Sequence, residues 1–97
     1  MESLGLAFVA IERSAMVSVE TESRLAGHAI LRKAFRYFGP QGLNLGVSEE
    51  SERSLRFEDS TGFVSITLEL QEKSRRTQVR AVGREYGAQM RAFISAL

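Results

Sequence analysis

Residues 42–82 read GLNLGVSEESERSLRFEDSTGFVSITLELQEKSRRTQVRAV, and through this stretch apolar and polar residues take turns. Leu43, Leu45 and Val47 alternate with Asn44, Gly46 and Ser48, and Leu55 and Phe57 with Arg56 and Glu58. Val64, Ile66, Leu68 and Leu70 alternate with Ser65, Thr67 and Glu69, and Thr77, Val79 and Ala81 with Gln78 and Arg80. Successive side chains of a strand point to opposite faces, so this period of two marks half-buried strands. The connections are short and polar: Glu49 to Glu52, Asp59 to Gly62, and Glu72 to Arg75. Gly62 is free to take a positive φ in its turn. Short polar turns between alternating runs predict a four-stranded antiparallel meander. One face is Leu, Val, Ile and Phe. The other is Asn, Ser, Arg, Glu, Thr and Gln, with no aromatic residue in mid-strand. The apolar face needs a cover, because such a sheet is not stable in water alone.

Two flanking helices are the expected cover. Ala15 to Thr21 reads as a strand, with Val17, Val19 and Thr21 on one face. Ser23 reads as an N-cap, with Glu22 near the positive end of the helix dipole, and a helix is expected over Arg24–Phe38. At about 100° per residue its buried arc is Ala26, Ile30, Leu31, Ala34, Phe35, Tyr37 and Phe38. Gly39-Pro40 stops it. Beyond the meander Gly83 reads as a break before a second amphipathic helix, Arg84–Leu97, with Tyr86, Met90, Phe93, Ile94 and Leu97 on its apolar stripe. Over Ser3–Ser14 two readings stay open. Leu4, Phe8 and Ile11 have helical spacing, whereas Phe8 to Ile11 suits a buried strand, towards which the reading leans. The fold class expected is α+β: one two-layer domain over residues 1–97, an antiparallel sheet of about five strands covered on one face by two helices, in the order β-α-β4-α.

Composition narrows the function classes. At 97 residues the chain has room for one domain and one modest core. It is 43% hydrophobic and 26% charged, and a formal charge of +1 makes no global case for nucleic acid or membrane. Without cysteine there is no disulfide, thiolate nucleophile or sulfur metal site, which fits a reducing cytoplasm. No run approaches the ~20 apolar residues of a membrane span, and Glu2 stands where a signal peptide carries positive charge.

The order strand, helix, four strands, helix, from about Ala15 to Leu97, resembles the helix-grip arrangement. That arrangement occurs in single copy in START-type lipid-binding domains and in duplicate in TATA-box-binding proteins. The resemblance is one of element order, without a diagnostic motif. It implies either a small apolar pocket under the C-terminal helix or none. The DNA-binding branch fits less well, because its exposed sheet carries apolar wedges for base steps and this one is polar.

The candidate residues fall into few groups. His28 is the single histidine, without the partners that a triad or a metal site needs. Glu49, Glu50, Glu52, Glu58 and Asp59 lack a recognised cation-binding spacing and read as a solvated edge. His28, Arg32 and Arg36, with Lys33 nearby, form a basic helix row free of acids; Lys73, Arg75, Arg76, Arg80 and Arg84 form a second cluster. Either can take a phosphate or an acidic partner, or pair with the chain's own carboxylates. Gly39 to Gly42 follows a helix instead of preceding one and reads as a turn. Phe35, Phe38, Tyr86, Met90 and Phe93 can line an apolar cavity or simply pack. No catalytic set and no cofactor is implied. The expected function is a non-enzymatic binding or interaction domain acting as a homo-oligomer or with another protein. A carrier of a small apolar ligand is the alternative, and weak phosphate or nucleic-acid binding is a second one.

Overall fold

The computed structural model describes residues 16–97; the open reading of Ser3–Ser14 lies outside the described residues. The chain runs β1 (Val17–Ser23), α1 (Gly27–Phe38), β2 (Gly46–Glu50), β3 (Ser54–Glu58), β4 (Phe63–Gln71), β5 (Arg76–Arg84) and α2 (Gly87–Ser95). The strands form one antiparallel sheet in the order β1-β5-β4-β3-β2. The meander lies side by side as its short turns require, and β1 closes the far edge beside β5. Helix α1 therefore crosses from one edge strand to the other.

The alternating residues face as the pattern predicts. Leu55, Phe57, Val64, Ile66, Leu68, Val79 and Ala81 are buried against Ile30, Ala34 and Phe38 of α1 and Met90, Phe93 and Ile94 of α2. Both helices lie on this one face, so the domain is a two-layer α+β fold. Phe38 is fully buried at the junction, its ring centroid 5.6 Å from that of Phe57 and 5.4 Å from that of Phe93. Thr77, on the core face opposite Ser23, is buried and donates its hydroxyl to the Leu25 carbonyl at 3.2 Å. Burial of a hydroxyl is tolerated once it is hydrogen-bonded.

Several element boundaries differ from the expectation. Ser23 is not the N-cap of α1. It stays in the ladder opposite Thr77, and its hydroxyl accepts the Leu25 N–H at 3.1 Å. The helix begins at Gly27, where a Cβ would sit 3.2 Å from Leu68 Cδ1, so a small residue lets it close on the sheet. Gly83 is not a break: it lies inside β5 opposite Val64 and Val17. The turn into α2 falls instead at Glu85, at φ 74°, so α2 begins at Gly87 and not at Arg84. Strand β2 starts at Gly46 instead of Leu43, because Asn44 takes φ 64° and turns the chain after α1. Leu45 remains buried, as its alternation implied.

Candidate functional site

The α1–β2 corner combines exposed apolar side chains with charges of both signs. Every residue of β2 is exposed, and the ladder to β3 shifts between Val47 and Glu49. Val47 points to the helix side but is 39% exposed, because α1 packs over β3 and β4 and leaves this edge uncovered. Phe35 is 45% exposed. It borders a shallow groove of about 230 Å³ with His28, Leu31, Arg32, Glu50 and Leu55. Leu43, in the loop leading to β2, is also open to solvent. The corner thus presents exposed apolar side chains between helix cations and the carboxylates Glu49 and Glu50.

The five residues expected to share one apolar cavity are distributed otherwise. Phe38, Met90 and Phe93 are core residues. Phe35 faces out at the β2 edge, and Tyr86 is half-buried at the start of α2. The Tyr86 hydroxyl donates to one carboxylate oxygen of Asp59. The other oxygen accepts the N–H of Thr61 at 2.8 Å, the N–H of Gly62 at 3.0 Å and the Thr61 hydroxyl at 2.8 Å. This network ties the β3–β4 turn to the joint before α2. The Tyr86 hydroxyl first, then the Gly62 and Thr61 N–H groups, hold the Asp59 carboxyl well below the usual carboxylate range. The same carboxylate pushes the Tyr86 hydroxyl above its ordinary value, which disfavours a tyrosinate.

A depressed carboxylate stabilises the fold above its unfolded value of about 3.9 and loses that contribution as pH falls through the folded value. Asp59→Asn is therefore expected to lower the urea midpoint at neutral pH and to flatten its decline below pH ~4. A midpoint series across this acid range checks it; parallel curves for the two proteins would show that Asp59 makes no such contribution.

The basic candidates do not form one site. His28 and Arg32 line the corner groove, and Arg36 belongs to a second groove between α1 and α2. Arg75 sits in the β4–β5 turn at φ 58° and Arg76 opens β5. Arg80 is engaged on the open sheet face: its Nε and Nη2 donate to Glu20 at 2.9 and 2.7 Å. Glu20 also accepts Gln78 at 3.0 Å, beside a polar hollow of about 400 Å³.

One feature escaped the sequence reading. Phe63, directly after the Gly62 turn, places its ring on the open face, where the Arg56 guanidinium stacks at 4.1 Å and that of Arg84 lies at 6.0 Å. Strand parity alone, which puts Phe63, Arg56 and Arg84 on one face, would have found it. Stacked guanidinium groups cover an exposed ring and gain from its quadrupole.

Compared with known proteins, the chain matches no family model, no curated protein and no solved structure. Among the described residues no group of three or more His, Asp or Glu is placed to hold a metal ion, and no helix is long and apolar enough to cross a membrane.

Proposed function

We propose that this chain is a non-enzymatic interaction domain that associates with a second copy of itself through the α1–β2 corner. The observation carrying this reading is the exposed Phe35 beside an open edge strand, with cations on one side and carboxylates on the other. A two-fold axis at the corner brings His28 and Arg32 of each copy towards Glu49 and Glu50 of the other. It lets Phe35 and Val47 leave water together. Such an isologous contact is self-complementary in charge and in apolar surface. The bulged, doubly acidic β2 edge disfavours continuation of the ladder between copies, so the contact is one of side chains.

The exposed apolar area is small against the roughly 800 Å² per partner of a standard interface, so association is expected in the micromolar range. The element order supports grouping the fold topologically with helix-grip domains, and a cytoplasmic setting fits the cysteine-free sequence. The carrier reading draws less support, because three of its five proposed lining residues are packed in the core.

Sedimentation over a wide concentration range tests the dimer. Phe35→Asp is expected to leave a folded monomer. Glu50→Arg is expected to weaken association, and adding Arg32→Glu to restore it. A wild-type protein that stays monomeric at millimolar concentration, or a charge swap without rescue, would remove the reading.

A further inference from the structure

The charges of this domain are segregated by layer. Helices α1 and α2 carry Arg32, Lys33, Arg36 and Arg91 and no acidic residue. Every acidic residue among the described residues lies on a strand or a connection. The ion pairs among the described residues, Arg80 with Glu20 and Arg56 with Glu58, are on the sheet. The helix layer is thus an exposed cationic surface on a chain whose formal charge is only +1.

Within that layer the last turns of α1 and α2 enclose an open groove of about 360 Å³. Its floor is the Tyr37 ring, stacked on Phe93 at 5.8 Å and 25°. On the α2 bank stand Ala92 and Ala96, four residues apart and therefore one above the other on the helix surface. Their short side chains keep that bank low along the helix, and Leu97 adds an apolar side chain just beyond its end. The α1 bank carries Lys33 and Arg36, exposed and three residues apart, so their charges also lie about one turn apart. An apolar floor, one low bank and one cationic bank make an asymmetric trough.

We infer that this groove docks an acidic amphipathic helix of another polypeptide. Apolar side chains of the partner sit over Tyr37 between Ala92 and Ala96, and two of its carboxylates, one turn apart, meet Lys33 and Arg36. The spacing of the cations matches the i, i+3 or i, i+4 spacing of acids on a helix, and an apolar stripe laid into a groove is an established mode of helix recognition. Arginine's planar fork suits a carboxylate. The shape separates this occupant from an anionic lipid surface. A trough with its aromatic ring on the floor receives a side chain, whereas a bilayer needs aromatic and apolar groups standing proud of the cations. Single-stranded nucleic acid would ask for a series of exposed rings on which successive bases stack, and the aromatic lining of this groove is the half-buried Tyr37 and the buried Phe93.

This inference rests on the reading of the chain as an interaction domain but not on its self-association. The groove uses Lys33, Arg36 and Tyr37, and the proposed dimer contact uses Arg32, Phe35 and β2. A strictly monomeric protein would leave the groove test intact.

The test titrates the full chain, at low ionic strength, with a synthetic helical peptide carrying leucine on one face and glutamate on the flanks. The control is the same peptide with lysine for glutamate. Amide and methyl chemical shifts are followed by NMR. The expected result is saturable shifts centred on Tyr37, Ala92 and Ala96 with the acidic peptide alone, weakening as salt is added. Lys33→Glu with Arg36→Glu is expected to reduce affinity at least tenfold, and Ala96→Trp to abolish binding by filling the trough. Arg76→Glu, remote at the start of β5, changes nothing. These positions are exposed, apart from the half-buried Tyr37 and Arg76, and an unchanged far-UV spectrum establishes that each variant is folded. Shifts that map elsewhere, equal response to the lysine peptide, or binding to phosphatidylserine vesicles with no response to the acidic peptide would overturn the assignment.

Discussion

Phe38→Ala is expected to lower the unfolding free energy by about 3–5 kcal/mol, a large part of what holds a domain of this size together. Phe38 ends α1, is fully buried, and is the residue through which both helices and the sheet meet. Its ring contacts Tyr37 edge-on at 4.8 Å, Phe57 of β3 at 5.6 Å and Phe93 of α2 at 5.4 Å. Truncation removes the transfer free energy of the ring and also the aromatic packing of three neighbours, which come from three different elements and cannot collapse together into the space. The Phe38 carbonyl accepts the Leu45 N–H at 2.9 Å, so the loop that feeds β2 hangs from the same residue. Urea denaturation with a two-state fit measures the effect, and a melting temperature lowered by roughly 12–40 °C would accompany it. Phe35→Ala, three residues earlier on the same helix, is the internal comparison. Its ring is 45% exposed, so its loss is expected to cost far less. Equal costs for the two would mean that α1 is rotated about its axis from the orientation described.

That comparison also marks where the sequence ceases to be legible. The meander was readable because alternation is a property of the strand itself: Leu55, Phe57, Val64, Ile66, Leu68, Val79 and Ala81 share the core face and are buried. The buried arc of α1 was readable only to its centre. Ile30, Ala34 and Phe38 lie at its middle and are covered, while Phe35 lies at its margin. Whether a marginal residue is covered depends on how far the sheet reaches beneath it. Here the sheet ends in a short, bulged β2, and no local pattern encodes that. Leu70 shows the same limit at the other end: its parity is correct, but β4 runs past the helix layer and leaves it 58% exposed. The lack of acids in α1 was visible in the sequence. The groove beside Lys33 and Arg36 was not, because it exists only where Tyr37 of one helix stacks on Phe93 of the other.

Gly83 carries the second large expectation, because a pattern of residue types reads it as punctuation and the sheet uses it as a gap. It pairs with Val64 on one side and Val17 on the other, in the interior of β5 and on the core face. A Cβ built there would collide with the Phe63 carbonyl oxygen of the neighbouring strand and lie 3.0 Å from Met90 Sδ and 3.2 Å from Met90 Cε. The first turn of α2, which carries Met90, therefore rests on bare backbone. An ordinary Gly→Ala change at a compatible site gains about 0.4–1 kcal/mol by restricting the unfolded chain. Gly83→Ala is expected to have the opposite sign, costing about 1–3 kcal/mol as an overpacked core does, and Gly83→Val to cost more. The two obstacles can be told apart. Met90 has three rotatable bonds and can yield, whereas the Phe63 carbonyl is fixed by the β4–β5 ladder. Met90→Ala alone empties a fully buried site and costs about 2–5 kcal/mol, so the expectation is read from a double-mutant cycle on unfolding free energies: the cost of Gly83→Ala falls only in part when position 90 is already alanine. Full rescue would locate the whole strain at the methionine, and a stabilising Gly83→Ala would show that α2 does not close on β5 at this point.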